Sequence, residues 1–469
     1  MPKFILFVHG YSETSLGAYF QFPAILKLAL GASVAQIGLS GFDSLDDSIS
    51  IDDLAMTMET RMRELEGQGW QTSDSAIICH STGALIARRW ILNRVSAGRD
   101  LPSHLITMAG ANHGSTLAGM GKSVLGYLQK IIEKHLLTVG ARVLTDLEYG
   151  SEFLLKLNRE WLERWNSGDL SRVFAFSMGG DFIGGDPTLQ IFWQTHESGS
   201  DNTVRISGAN LNYTMIDASS SNPSAVTAFA PKLRVPHLLL AGYSHYGPQT
   251  GILGNVHGPG DPPMAAVLQA LAVHDQAAYA TVEQSWASRT QKWYQANSEN
   301  ANSTAIFSLS DQGGMQIDDC MIAILDKDQL GDPQNATAAE TAAARAAAMH
   351  AVSPCVLGSP IQNDVQRGSY AFYLNYDKYV ATSPHWFHIE VSSLGEDVTR
   401  YRYIPLTFTQ PTSLAHTIAP NECTYVTMSL ERQSDQAYSV YSFQPDLDLP
   451  SMTWLPPFPF PWKSRIAPP

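Results

Sequence analysis

The sequence has few cysteines and no long apolar run. Its four cysteines in 469 residues are too few for a disulfide scaffold, so a hydrophobic core must stabilise the fold. We expect free thiols, with one disulfide among Cys320, Cys355 and Cys423 as the alternative. No window approaches the roughly 18 apolar residues that a membrane-spanning helix needs, so we expect no transmembrane segment.

The N-terminus lacks the features of a secretory signal. It reads MPKFILFVHG, whose apolar run FILFV is short and is followed by no small-residue cleavage site. We therefore predict a cytoplasmic location in the cell that produces the protein, with export by a non-classical route left open.

Basic residues are also scarce. The chain has 30 lysines and arginines against 44 aspartates and glutamates, a net charge of −14. Nucleic acids and anionic membranes are themselves negative, so bulk attraction to either is excluded. We expect no nucleic-acid partner.

Short apolar runs alternate with helical patterns through residues 1–295. FILFV, SAIICH and HLITM are typical of buried strands, whereas Leu54, Met58 and Met62 recur at helical spacing. Strands that alternate with helices predict a doubly wound α/β sheet. Residues 115–170 are rich in helix formers, and we interpret them as a cap or lid insertion.

The pattern changes near residue 300. Residues 300–448 contain short alternating runs such as SYAFYLNYDKYV, which predict an antiparallel β-sandwich as an accessory domain. The alanine-rich residues 336–350 are either a helix or a low-complexity insertion. Residues 449–469 form a proline-rich tail that cannot be a central strand.

The stretch AIICHSTGAL places a serine where a strand pattern meets a helix pattern. At such a sharp turn the residues two before and two after the serine must be small, and here they are Cys79 and Gly83. Glycine is usual at the first position, so Cys79 is a departure. Unpaired N–H groups at the helix start favour negative charge beside Ser81.

Three motifs in order resemble the lipase and esterase branch of the α/β-hydrolases. They are FVHGY at 7–11, CHSTGALIAR at 79–88 and LITMAGANHGSTLAG at 105–119. The resemblance implies that Ser81 is the nucleophile and that the N–H groups of Tyr11 and Thr82 form the oxyanion hole. It also implies a structural role for His113.

The same resemblance, with the chain order serine, acid, histidine, indicates the acid of a triad. The loop ESGSDNTVRISGANL is similar to the lipase loop that carries the acid, which implies Asp201. Asp181 directly follows a predicted strand and is the alternative.

The histidine has two candidates as well. His245 follows a strand and precedes a Gly-Ile pair, as in relatives, although YGPQT is inserted between them. His257 is the alternative, because it also precedes a predicted last helix.

These residues predict a serine hydrolase that cleaves carboxylic esters of lipids, of the lipase or phospholipase type, through an acyl-enzyme. A short-chain or polymer esterase is one alternative, and a catalytically silent binding protein is another. The chemistry requires no cofactor, and we see no metal-ligand pattern. We expect a lipid or small ester as partner. The apolar stripe along residues 125–136 is either the buried face of a cap helix, which we favour, or a lid that makes transient contact with a lipid interface. The oligomeric state stays open.

Overall fold

The structure is a computed structural model. It describes residues 1–11, 16–31, 36–39, 46–115, 140–183, 199–297, 302–318, 320–330, 336–381, 387–393, 401–404, 406–409 and 418–434. The expected lid stretch at 125–136 and the tail at 449–469 lie outside these residues.

Strands and helices alternate in the first part of the chain, as predicted. The strands are β1 (Phe4–Val8), β2 (Gln36–Leu39), β3 (Ser75–His80), β4 (His104–Met108), β5 (Phe174–Gly180), β6 (Tyr213–Ser219), β7 (Thr227–Phe229) and β8 (His237–Leu240). The helices are α1 (Phe22–Leu30), α2 (Ile51–Gly67), α3 (Gly83–Ser96), α4 (Ala141–Leu147), α5 (Glu152–Ser167), α6 (Ile206–Ala209), α7 (Pro262–Leu271) and α8 (Gln276–Ala296).

The start of α2 shows how local sequence sets an element boundary. The Ser50 hydroxyl accepts a hydrogen bond from the N–H of Asp53, and the Asp53 carboxylate accepts one from the N–H of Ser50. This capping box satisfies two backbone donors that a helix start otherwise leaves unpaired.

Within the described residues, a six-stranded parallel sheet has the order β2–β1–β3–β4–β5–β8. Alternate residues of β1 enter two cores on its opposite faces. Leu6 and Val8 pack with α2, α3 and α5, whereas Ile5 and Phe7 pack with α1, α7 and α8. Burial on both faces confirms the predicted doubly wound α/β sheet.

The later part of the chain is rich in strands. They are β9 (Asn302–Asp311), β10 (Cys320–Asp326), β11 (Val356–Gln362), β12 (Ser369–Asn375), β13 (Phe387–Ser393), β14 (Tyr401–Tyr403), β15 (Leu406–Thr409), β16 (Cys423–Leu430) and β17 (Arg432–Ser434). The helices there are α9 (Ala338–Val352) and α10 (Tyr376–Ala381). A capping box between Thr337 and Glu340 begins α9, so the alanine-rich segment is a helix.

The main later sheet has the order β11–β12–β9–β16–β6–β7. It is mixed, since β16 runs parallel to both β9 and β6, while the pairs β11–β12, β12–β9 and β6–β7 are antiparallel. Two of its strands, β6 and β7, come from before residue 295. The sheet therefore spans the predicted boundary, and the division into domains stays a prediction.

All four cysteines are free thiols, and Cys79, Cys355 and Cys423 are buried. The disulfide alternative is therefore wrong. No helix in the described part of the chain is long and apolar enough to cross a membrane.

Candidate active site

Ser81 occupies a strained turn between β3 and α3. β3 ends at His80 and α3 begins at Gly83, while Ser81 has φ +55°, in the left-handed region that non-glycine residues rarely adopt. Such strain persists only where the surroundings enforce it, and it is common at functional sites.

Close backbone packing enforces this turn. A Cβ on Gly83 would lie 2.3 Å from the carbonyl oxygen of Val8, and a Cβ on Gly10 would lie 2.8 Å from the Cβ of Ser81. Cys79, where the resemblance leads one to expect glycine, is fully buried and donates from Sγ to the carbonyl oxygen of Ile106 at 3.4 Å. The thiol is therefore accommodated as a small core side chain.

The structure brings the side chains of Ser81, His245 and Asp201 together. Nε2 of His245 lies 3.0 Å from Oγ of Ser81, and Nδ1 of His245 lies 3.0 Å from Oδ2 of Asp201. Since a carboxylate only accepts hydrogen bonds, Nδ1 carries the ring proton and Nε2 accepts from the serine hydroxyl. This is the geometry of a nucleophile, a base and an orienting acid.

Asp201 is held by its own loop. Its Oδ1 accepts the N–H groups of Thr203 at 3.1 Å and Val204 at 2.8 Å, and its side chain is almost fully buried. Its backbone carbonyl also accepts the N–H of His245 at 2.8 Å. The acid thus positions both the ring and the backbone of the histidine.

The alternative acid, Asp181, holds other groups. Its Oδ1 accepts the N–H of Gly242 and its Oδ2 accepts the indole N–H of Trp293, each at 2.6 Å. Burial raises the pKa of Asp181 above its usual value, and these two hydrogen bonds counter that rise. Asp181 follows β5 as expected but anchors the chain after β8.

The alternative base, His257, is exposed, and its backbone N–H donates to the carboxylate of Asp261. His245, in contrast, is only 6% exposed and lies beside Ser81. Of the two histidines, the structure places His245 in the site.

The segments expected to form the oxyanion hole lie next to Ser81. Thr82 is buried at the N-terminus of α3, where the helix dipole is positive. Tyr11 follows Gly10, which contacts Ser81. Burial, and then the charge of Asp47, raises the pKa of the Tyr11 phenol, which therefore stays neutral.

His113 lies outside this group and is buried against the rings of Tyr213 on β6 and Tyr425 on β16. Its Nε2 donates to the carbonyl oxygen of Asn210 at 2.8 Å, and its Nδ1 lies 2.9 Å from the hydroxyl of Tyr425. Burial, with a further contribution from the charge of Arg88, lowers the pKa of His113 to about 3. These contacts are structural in kind. Tyr425, more than 300 residues away in sequence, carried no motif that sequence reasoning could have used.

In the part of the chain that the structure describes, no three His, Cys, Asp or Glu side chains are grouped to hold a metal ion.

The fold is that of the α/β-hydrolases of the lipase and esterase type, and the arrangement around Ser81 is similar to the site that such a fold carries. Over nearly its whole length the chain is similar to the structure of phospholipase PlaB from Legionella pneumophila, with a TM-score of 0.80 and 26% identity, covering 95% of this chain and 97% of that one. A second PlaB structure, in complex with thio-NAD, matches with a TM-score of 0.79 and 25% identity over the same shares. Lipase BlEst2 from Bacillus licheniformis matches with a TM-score of 0.40 and 15% identity, covering 58% of this chain and 93% of that one. No protein-family model and no curated protein sequence matches the chain.

Proposed function

We propose that the protein hydrolyses carboxylic esters of lipids, with phospholipids as the substrate class, and that Ser81 is the nucleophile. The observation that carries the proposal is the pair of hydrogen bonds by which His245 links Ser81 to Asp201. The similarity to a phospholipase across 95% of the chain supports the substrate class.

In the first half-reaction, Oγ of Ser81 attacks the ester carbonyl while Nε2 of His245 accepts the hydroxyl proton. Asp201 stabilises the imidazolium that forms. The N–H groups of Tyr11 and Thr82 bind the developing oxyanion, and each such donor typically lowers the barrier by about 2.7–4 kcal/mol. His245 then protonates the leaving alcohol as the ester C–O bond breaks.

In the second half-reaction, His245 takes a proton from water, which attacks the acyl-enzyme. The tetrahedral intermediate collapses, the acid product leaves and the proton returns to Oγ of Ser81. Water is the one co-reactant, and the chain's own residues carry every proton transfer. A short-chain or polymer esterase would use the same residues, so substrate choice separates the two.

The test compares wild-type protein with Ser81→Ala and with Ser224→Ala, which removes an exposed serine hydroxyl outside the site. Each is assayed on phosphatidylcholine and phosphatidylglycerol vesicles and on p-nitrophenyl esters from acetate to palmitate. We expect wild-type and Ser224→Ala proteins to release fatty acid from the vesicles, and Ser81→Ala to release none.

A fluorophosphonate probe completes the test, because it labels an activated serine whatever the natural substrate. Labelling at Ser81 with hydrolysis of short esters alone would favour the esterase. Folded wild-type protein with neither labelling nor hydrolysis would favour the silent binding protein and would contradict the proposal.

A further inference from the structure

His80 directly precedes Ser81 and lies against His245. Its Nε2 is 3.0 Å from the carbonyl oxygen of His245, and the two rings pack with centroids 4.7 Å apart. The His80 side chain is buried, with 5% of the residue exposed. His80 therefore contacts both the ring and the backbone of His245.

The direction of this hydrogen bond is determined by its acceptor. A carbonyl oxygen cannot donate, so Nε2 of His80 carries the proton. Burial, and then the proximity of His245, lowers the pKa of His80 well below its usual value. A neutral donor therefore faces the base, and no fixed positive charge opposes the imidazolium that forms on His245 during the reaction.

His245 lies on a loop, outside the regular hydrogen bonding of β8. Gly242 and Gly247, on either side of it, have φ of +79° and +115°. Both backbone groups of His245 are nevertheless held from other segments, since its N–H donates to the carbonyl oxygen of Asp201 and its carbonyl accepts from His80. The peptide group before His245 is thus hydrogen-bonded to the loop of Asp201, and the peptide group after it is hydrogen-bonded to His80.

We propose that His80 is a positioning residue that holds the backbone of His245 so that its ring can bridge Ser81 and Asp201. The inference rests on the proposed function and extends it by one residue. It predicts that loss of the His80 donor lowers kcat through misplacement of the base and leaves substrate affinity nearly unchanged.

His104 provides a matched control. It too is buried and donates from Nε2 to a backbone carbonyl, that of Val273 at 2.9 Å, and burial lowers its pKa to about 4. It lies at the start of β4, at the opposite end of the sheet from Ser81. His104→Leu therefore removes a comparable hydrogen bond without a contact to the base.

The experiment measures kcat and KM on a p-nitrophenyl ester, the rate of fluorophosphonate labelling and the thermal unfolding temperature. It uses wild type, His80→Leu, His80→Gln and His104→Leu. The Gln amide can place an N–H near the position of Nε2. Misplacement of a reacting group by about 1 Å can cost on the order of 100-fold in rate. We expect His80→Leu to lower kcat and the labelling rate by about 10- to 100-fold with KM within about threefold, on the same basis.

His80→Gln should recover most of this loss, and His104→Leu should keep the wild-type kcat although it unfolds at a lower temperature. A wild-type kcat in His80→Leu, no recovery in His80→Gln, or an equal kcat loss in His104→Leu would each overturn the inference. Failure of the proposed function would look different. Wild-type protein and Ser81→Ala would then give the same rates, and the inference about His80 would fail together with the proposed function.

Discussion

The hydroxyl of Tyr425, on β16, lies 2.9 Å from Nδ1 of His113, in the loop after β4. The same hydroxyl accepts a hydrogen bond from Nδ2 of Asn158 on α5 at 2.8 Å. Asn158 in turn accepts one from the buried guanidinium of Arg88 on α3, the helix that begins beside Ser81. One hydroxyl of the later sheet therefore completes a buried polar network that reaches the helix following Ser81.

Tyr425→Phe should destabilise the protein by about 1–3 kcal/mol, because it leaves buried polar atoms of His113 and Asn158 without their partner. Urea unfolding measures the change. Tyr370→Phe is the control, since the Tyr370 hydroxyl bonds at an exposed site, and it should change stability by about 0.5 kcal/mol or less. Equal effects of the two variants would show that the network adds nothing.

The network around Tyr425 could not be predicted from the sequence, whereas much of the fold and of the candidate site could. Strands β1, β3, β4, β5 and β8 could be predicted because each is a short apolar run, and the fold class followed from their alternation with helices. The motif around Ser81 and the two loops that carry Asp201 and His245 pointed to the residues that the structure brings together. Ser81 and His245 could be found in this way because each follows the end of a strand of one parallel sheet. Asp201 lies well beyond the end of β5, and only the resemblance of its loop to the lipase acid loop indicated it.

Sheet membership was not predictable in the same way. β6 lies between β5 and β8 in sequence yet pairs with β16, about 200 residues later, in parallel. Nothing in TMIDAS distinguishes a strand of one sheet from a strand of another, because either environment buries the same side chains. Long-range pairing also made the later sheet mixed where short alternating runs indicated an antiparallel one.

Asp201→Asn should lower kcat/KM on a p-nitrophenyl ester by about 10³- to 10⁴-fold, because an amide can hold His245 in the wrong tautomer. Asp181→Asn should lower it by less than about tenfold, because Asp181 contacts Gly242 and Trp293 and not the histidine. The two aspartates are matched controls for one another. The reverse order of effects would assign the acid to Asp181.

Gly83→Ala should destabilise the protein by about 1–3 kcal/mol or more, since its Cβ would overlap the carbonyl oxygens of Val8 and His9. Gly67→Ala is the control, because a Cβ there meets nothing within 4 Å at the end of α2. Alanine at that position should be neutral or stabilising by up to about 1 kcal/mol. Thermal unfolding of both variants, with soluble yield, checks the pair, and a Gly83→Ala protein as stable as wild type would exclude the steric account of the turn.

Glu148 should make stability depend on pH. It is buried where the loop before α5 meets residues 363–364, and burial raises its pKa to about 7. The unfolded chain releases this proton near its ordinary pKa of 4.5, whereas the folded protein keeps it until about pH 7. The folded state therefore binds more protons between these values, and the free energy of unfolding contributed by Glu148 falls as pH rises through that window.

Glu148→Gln removes the charge and keeps an oxygen that can accept the N–H of Asp364. The free energy of unfolding of Glu148→Gln, relative to that of wild type, should be higher at pH 8 than at pH 5 by about 1–2 kcal/mol, after allowance for solvent screening. Urea unfolding at both pH values measures it. Glu152→Gln, at an exposed carboxylate of the same segment, should differ from wild type by the same amount at both. A pH-independent difference for Glu148→Gln would mean that this carboxylate is ionised throughout the range and that water reaches it in the folded protein.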